Sequence, residues 1–203
     1  MTAITRRISE FAAGISFDKV PTKVIERTGM LLMDSVGIAL RARHDAESTP
    51  GLVKAAMRLG LDGGACIAIG ERRGFTPQGA ALVNGTLIHS LDFDDTHARA
   101  SLHTSAPIVP AALAAAEMAG VDGEELVPAI IAGYEIQTRL SMALGPADHY
   151  DRGFHPTATC GVFGAAAAAG HVSPGACCSI AVFPCAAAAC LATQPLQRDR
   201  KST

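Results

Sequence analysis

The chain has 203 residues, a net charge of −2, 49% hydrophobic residues and 18% charged residues. This composition indicates a globular protein of one domain, or of one domain and part of a second, and excludes a disordered chain. The near-neutral charge, with no basic stripe, predicts no binding to nucleic acid. Because the chain lacks tryptophan and has only 4% aromatic residues, its core must be built from small aliphatic side chains, which favour helix packing over a β-sandwich.

Helical periodicity and capping signals predict six or seven helices with short connections. Signals for their ends include Gly60 after the third helix, Thr76 before the fourth and Pro156 at the start of the last. The predicted helices cover residues 4–13, about 20 residues from Pro21, then 49–59, 77–90, 107–120, 122–144 and 156–170. Strands do not alternate with helices, so the sequence predicts an all-α, multi-helix bundle and no doubly wound sheet.

Four shorter features complete this prediction. Residues 66–69 form an apolar run that suggests an isolated strand, and residues 91–107 are too rich in charges and hydroxyls to be expected in the core. Residues 146–154 are predicted to be a loop. Pro128 either kinks the sixth helix or marks its true start.

The last part of the chain differs in composition from the rest. Residues 171–203 contain three prolines and four of the six cysteines, and Asp199 is their single acid. We therefore divide the chain into 1–170, a helical domain, and 171–203, an unrelated tail that we expect to be loosely packed or disordered. The apolar stretch 176–192 is shorter than the ~20 residues of a spanning helix, so no membrane anchor is expected. No apolar segment follows the two N-terminal arginines, which predicts no secretory signal, a cytoplasmic location and free thiols.

One window of the sequence combines imidazoles with carboxylates. Three acids within four residues should repel one another, which would raise the pKa of at least one of them if the site is partly buried. Such a carboxyl group beside imidazoles can move protons near neutral pH. The alternative is a solvated acidic loop that caps the next helix. The residues of this window are His89, Asp92, Asp94, Asp95, His97 and His103.

Two histidines, His103 and His155, each stand just before a predicted helix start. Helix N-termini carry unpaired N–H groups and attract carboxylates, so the pair would suit a substrate with several carboxylates. The alternative is that each ring is only a helix cap or a hydrogen-bonded core group.

Four segments together resemble the MmgE/PrpD family over roughly residues 4–170. They are LLMDSVGIAL at 31–40, NGTLIHSLDFDDTHARASLHTSAPIVPAALAAAE at 84–117, GEELVPAIIAGYEIQTRL at 123–140 and GFHPTATCGVFGAAAAA at 153–169. Several ordered matches of this length are far more specific than one short motif.

The resemblance implies the N-terminal helical domain of that family, without the α+β lid domain that follows it in the longer members. Family members are lyases or isomerases of small di- and tricarboxylates, such as 2-methylcitrate dehydratases, cis-aconitate decarboxylases and iminodisuccinate epimerases. They use no metal and no organic cofactor, and the family suggests a homodimer. Each reaction begins or ends with a proton at a carbon beside a carboxylate.

The resemblance also implies the catalytic residues, which are Asp92, Thr96, His103 and His155 here. His103 or Asp92 would be the base, His155 would bind carboxylates, and Thr96 would orient a substrate oxygen. The family's lysines come from the region after the helical domain and have no counterpart in this sequence. We therefore expect a truncated form with weak or no activity, in which a reading-frame change produced residues 171–203.

Two other functions remain open at this stage. The chain could be a non-catalytic helical module for binding or oligomerisation. A metal site built from His97, His103 and the aspartates is a third hypothesis, although no HExxH-type spacing supports it. The choice among substrates is also open.

Overall fold

The computed structural model describes residues 3–173, and within them the fold is all-α, as predicted. Eight α-helices and one 3-10 turn, Phe17–Lys19, account for most of this range. The helices are α1 (Ala3–Ala13), α2 (Thr22–Asp45), α3 (Thr49–Arg58), α4 (Pro77–His89), α5 (Ser105–Ala119), α6 (Gly123–Leu144), α7 (Pro146–Asp151) and α8 (Pro156–Val172). Among them no helix is both long and apolar enough to cross a membrane.

The centre of the bundle is formed by α5, α6 and α8. Its buried side chains are mostly alanines of α5 and α8, together with Ile108 and Ile130. Small side chains let helix backbones approach closely, which is how a core almost without large aromatic side chains can reach normal packing density. A second cluster, around Phe75 and Leu87, joins α2 and α4 to the strands that follow α3.

The described residues contain two small antiparallel strand pairs. β1 (Asp62–Ile67) pairs with β2 (Gly74–Phe75), so the strand predicted at 66–69 is earlier than expected and is not isolated. A Cβ on Gly64 would lie 2.2 Å from the carbonyl oxygen of Phe75, so this pairing requires glycine at that position. The second pair, β3 (Thr96–His97) and β4 (Leu102–His103), forms a hairpin inside the polar stretch 91–107.

The structure differs from the sequence predictions at residues 91–107 and 146–154, and it decides the position of Pro128. The prediction that residues 91–107 lie outside the core is wrong, because Asp94, Ala100 and Leu102 are buried. The predicted loop at 146–154 contains the short helix α7, which Pro146 opens after Gly145 ends α6 at a positive φ of 72°. Pro128 lies inside α6 and does not begin it. The loose tail was predicted to begin at residue 171, but α8 continues to Val172; the rest of that prediction, 174–203, lies outside the described residues.

We expect Gly164→Ala to destabilise the protein by about 1–3 kcal/mol, since overpacking a tight core costs energy of that order. The new Cβ would lie 2.6 Å from Ile108 Cδ1 and 2.7 Å from the carbonyl oxygen of Gly133, where α8 crosses α6. Urea unfolding measures the change. The matched control is Gly29→Ala in α2, whose Cβ meets nothing within 4 Å and which should stabilise the helix by up to ~1 kcal/mol. An equal free energy of unfolding for the two variants would contradict the close approach of α8 to α6 at Gly164 and Gly133.

Candidate active site

The hairpin of β3 and β4 is fixed between the end of α4 and the starts of α5 and α8. Its backbone is held by three side chains from other elements. Gln137 Nε2 donates to the carbonyl oxygen of His103 at 3.0 Å, and the N–H of His103 donates to Thr157 Oγ1 at 3.0 Å. Ser141 Oγ donates to the carbonyl oxygen of Ala100 at 2.6 Å. Because α6 and α8 supply these contacts, the hairpin has a defined position relative to the helix bundle.

Asp94 is the buried centre of the site. Its side chain is 1% exposed and lies between two imidazoles. His89 Nδ1 is 3.0 Å from Oδ2 of Asp94, and His103 Nδ1 is 3.3 Å from both Oδ1 and the backbone carbonyl oxygen of Asp94. The two rings meet edge to face with their centroids 4.8 Å apart. A buried carboxylate is stable only when it is hydrogen-bonded, and here the two imidazoles satisfy it.

The electrostatics of this cluster differ from the prediction of a raised carboxyl pKa. Burial alone would raise the pKa of Asp94, but hydrogen bonds from His103 and His89 outweigh it and lower that pKa. The hydrogen bond to Asp94 is also the main reason that the pKa of His103 is raised. The three acids have different environments: the Asp94 side chain is buried between two imidazoles, the Asp92 side chain is exposed, and Asp95 accepts hydrogen bonds at the start of α5. The lowered pKa of Asp94 and the raised pKa of His103 both favour the charged forms of this pair.

Asp95 caps the start of α5. The sequence alternative assigns this capping role to all three acids, Asp92, Asp94 and Asp95. The N–H of Ser105 donates to Asp95 Oδ1 at 2.9 Å, and Thr104 Oγ1 donates to the other carboxylate oxygen. Asp95 therefore satisfies the first turn of α5. Similarly, the N–H of Thr157 at the start of α8 donates to His155 Nδ1 at 3.2 Å. The prediction that both helix ends offer free N–H groups to a substrate is wrong for these two groups, since the chain itself uses them.

Asp92 stands on the open side of the site. Its side chain is 82% exposed, and its Oδ1 is 3.5 Å from Nε2 of His103. The residue has a positive φ of 55°, a conformation that aspartate tolerates better than most side chains. Its carboxylate faces solvent beside the ring nitrogen of His103 that does not contact Asp94.

Thr157 connects His155 to His103, because it forms a hydrogen bond with each of them. The backbone N–H of Thr157 contacts the His155 ring, and its hydroxyl contacts the backbone of His103. The two histidines are therefore brought together well within the ~15 Å that a shared pocket for one small substrate allows. Burial lowers the pKa of His155, and the nearby imidazoles of His89 and His103 lower it further. Both effects favour the neutral form of the His155 ring.

Of the two remaining sequence-predicted residues, Thr96 lies next to the site and His97 does not. Thr96 is exposed on β3 and pairs with His103 across the hairpin, next to the site. His97 turns away, and its Nδ1 accepts the N–H of Ala100 at 3.1 Å. His89, Asp94 and Gln137 contact the site, but the resemblance did not assign them a role. His89 and Asp94 share the histidine–aspartate window, whereas no sequence signal distinguishes Gln137.

Four side chains of the described region could by geometry hold a cation. One ligand atom from each of His89, Asp92, Asp94 and His103 can be chosen so that all lie within 4.8 Å of one another. This set differs from the hypothesis based on His97, which is not a member. In this arrangement, the carboxylate of Asp94 contacts both imidazoles.

We expect the His103–Asp94 pair to stabilise the fold more at mildly acidic than at alkaline pH. The folded-state pKa of His103 is raised above 6.5, so its contribution is fully present below 6.5 and is lost as the pH rises through the raised value. The measurement is the free energy of unfolding in urea at about pH 5.5 and about pH 8.5 for the wild type and His103→Gln. The cost of the substitution should be larger at the lower pH. An equal cost at both would show that His103 does not titrate against Asp94.

Comparison with known proteins gives consistent matches to one family. The model of the MmgE/PrpD N-terminal domain matches residues 6–176. A cis-aconitate decarboxylase-like protein, oryM, of Aspergillus oryzae is 31% identical over 82% of this chain and 35% of its own length. The cis-aconitate decarboxylase of Aspergillus terreus is 30% identical over 83% of this chain and 34% of its own. The human cis-aconitate decarboxylase is 29% identical over 83% of this chain and 36% of its own length. The chain therefore spans about a third of the length of these curated relatives.

Proposed function

The chain belongs to the MmgE/PrpD family through its N-terminal domain, and on that premise we propose that it carries the proton-transfer half of an enzyme site for small di- or tricarboxylates. The observation that carries this proposal is the buried Asp94–His103 pair, with Nε2 of His103 facing the open side. A base held in this way can remove or return a proton at a carbon beside a carboxylate.

The geometry supports a defined division of roles within the pair. When Nδ1–H of His103 donates to Asp94, the lone pair of Nε2 is left to accept a proton from the substrate. Asp94 then stabilises the imidazolium that forms, as the buried aspartate does in hydrolase triads. His89 donates to the same carboxylate and keeps it ionised and oriented. Thr96 and Asp92, at the open edge, are proposed to orient the substrate.

The charge that develops on the substrate needs hydrogen-bond donors. Removal of a proton beside a carboxylate gives an enediolate, and fixed donors that face it lower the barrier. We assign Nε2–H of neutral His155 to this role, since its Nδ1 is already used by α8. The other donors would be lysines of the lid domain that the resemblance implies. Hydrogen-bond partners of the proposed catalytic side chains within residues 3–173 include no lysine or arginine.

For the reaction itself we propose decarboxylation of cis-aconitate, because curated relatives across more than four-fifths of this chain are named for it. In that reaction the bond from carbon to the departing CO2 breaks, its electron pair stays on carbon, and protonated His103 delivers the proton from Nε2 to that carbon, so the pair acts as a general acid. Dehydration of 2-methylcitrate and epimerisation of iminodisuccinate are the two alternative reactions, which share with decarboxylation a proton transfer at a carbon beside a carboxylate. The test is an assay on cis-aconitate and on 2-methylcitrate with a lid-containing version, in which residues 1–170 are joined to the second domain of the Aspergillus terreus relative. A folded version inactive on both would favour the non-catalytic helical module.

We also propose that a reading-frame change produced the tail predicted at 171–203, with the qualification that His171 and Val172 still belong to α8 and that the family match extends to residue 176. The cysteine- and proline-rich, acid-poor composition of the tail supports this. Sequencing the gene past codon 203 tests it: a shifted frame that encodes the lid domain would support the proposal, and its absence would contradict it. The homodimer implied by the family stays a proposal, which light scattering of the purified chain would test.

Removal of metal ions should not change the activity. Because Asp94 and His103 act as a proton-binding pair, EDTA treatment of the lid-containing version is expected to leave kcat/KM unaltered. The measurement is the rate on cis-aconitate before and after chelation, with metal content checked by elemental analysis. Loss of activity that zinc or magnesium restores would instead make His89, Asp92, Asp94 and His103 a metal site.

A further inference from the structure

Both ring nitrogens of His155 are engaged, and their partners determine where its proton lies. Nδ1 is 3.2 Å from the backbone nitrogen of Thr157, which can only donate. An imidazole nitrogen that accepts a hydrogen bond carries no proton, so the neutral ring must carry its proton on Nε2. That Nε2 is 3.3 Å from the hydroxyl oxygen of Tyr150 on α7.

The direction of the next hydrogen bond follows in the same way. The hydroxyl of Tyr150 is 3.2 Å from the carbonyl oxygen of Ser101, which can only accept. The phenol proton therefore points to Ser101, and a lone pair of the phenol oxygen is left for Nε2–H of His155. Burial raises the pKa of Tyr150, so the phenol keeps this proton at neutral pH. The result is one directed chain, from the N-terminus of α8 through His155 and Tyr150 to the hairpin.

Ser101 is at the tip of the hairpin that carries His103. It precedes β4 and has a positive φ of 49°. Through Ser101 the Tyr150 hydroxyl connects His155 to the same hairpin as His103. The rings of Tyr150 and His155 also meet edge to face, with centroids 5.4 Å apart, so the phenol ring supports the imidazole independently of the hydroxyl.

We propose that Tyr150 is a positioning residue, which holds His155 as the Nε2–H tautomer and in a fixed orientation relative to His103. No family match or named relative assigns Tyr150 a role. Its importance for catalysis rests on the proposed function, in which Nε2–H of His155 donates to Tyr150 before the substrate binds and to the substrate afterwards. A substrate carboxylate can take over this hydrogen bond from Tyr150 without any change in the protonation of the ring.

Charged groups around His155 favour the same neutral state. Burial lowers the pKa of His155 most, the nearby imidazoles of His89 and His103 lower it further, and the carboxylate of Asp92 opposes them to a smaller degree. Protonation would also have to occur on Nδ1, which would break the hydrogen bond that caps α8. The tautomer is therefore set by the cap, and the orientation is set by Tyr150.

The test is NMR of the full 203-residue chain with 15N-labelled histidine, which needs no activity. We expect His155 to show a protonated Nε2 whose proton exchanges slowly with water. Tyr150→Phe keeps the ring contact and removes the hydroxyl, so exchange of that proton should become about 3- to 10-fold faster, the value expected for loss of one hydrogen bond. The matched control is Tyr134→Phe, which removes the hydroxyl that contacts Ser105 Oγ at 2.7 Å and should leave the His155 signal unchanged.

Two results would overturn the proposal. One is an unchanged exchange rate in Tyr150→Phe, with a backbone amide spectrum that shows the variant to be folded. The other is a wild-type His155 that carries its proton on Nδ1. Because the readout is the imidazole itself, failure of the proposed enzymatic function would leave this test intact, and the two failures are distinguishable.

Discussion

Replacing His103 by alanine in the lid-containing version is expected to lower kcat/KM on its substrate by about 10²–10⁴-fold, the usual contribution of a positioned general base. The substitution removes the nitrogen that transfers the proton to or from the substrate carbon and leaves Asp94 with only His89 as a partner. The effect should fall mainly on kcat, because the proton is transferred in the transition state. Steady-state kinetics on cis-aconitate measure it.

The control for this experiment lies on the same hairpin. His97→Ala removes an imidazole whose Nδ1 only accepts the N–H of Ala100 inside the turn, so kcat/KM should stay within the same order of magnitude. A His103→Ala variant that is folded and retains most of its activity would exclude His103 as the base. Asp92 would then be the candidate, since its carboxylate is the other proton acceptor on the open side.

Residues 1–203 tested alone should turn over any family substrate at least ~10³-fold more slowly than the lid-containing version. The loss of even one strong electrostatic contact with the transition state typically lowers kcat by about 10²–10³-fold. The described residues leave Asp92 largely in water, where charge–charge interactions are several-fold weaker than in a closed site. The comparison needs equal concentrations of both proteins and a circular dichroism check that each is helical. Robust turnover by residues 1–203 would show that the catalytic centre has been misplaced.

The helices were predictable because the signals that define their ends are local. Thr76 Oγ1 accepts the N–H of Gly79 three residues later, and Gly60 and Gly120 take the positive φ values that follow α3 and α5. The all-α class followed from the period of the apolar residues and from the near absence of aromatic side chains. α7 was missed since six residues carry too little helical periodicity to distinguish a short helix from a loop.

The site was only partly predictable because its contacts join distant parts of the chain. The resemblance named Asp92, Thr96, His103 and His155, and the structure places them around one hairpin, but their catalytic roles stay predictions. The burial of Asp94 depends on His89 from α4 and His103 from β4, which the spacing of acids could not reveal. Tyr150 meets Ser101 across 49 residues, and no sequence pattern marks that contact.

The central claim is that this domain moves a proton at a carbon beside a carboxylate. The most direct measurement is incubation of the lid-containing version with cis-aconitate, and separately with 2-methylcitrate, in D2O, followed by NMR of the carbon-bound hydrogens. We predict deuterium at a carbon beside a carboxylate in the product or in recovered substrate, and we predict that His103→Ala abolishes it. A folded wild-type protein that incorporates no deuterium with either compound, or equal incorporation by His103→Ala, would contradict the account.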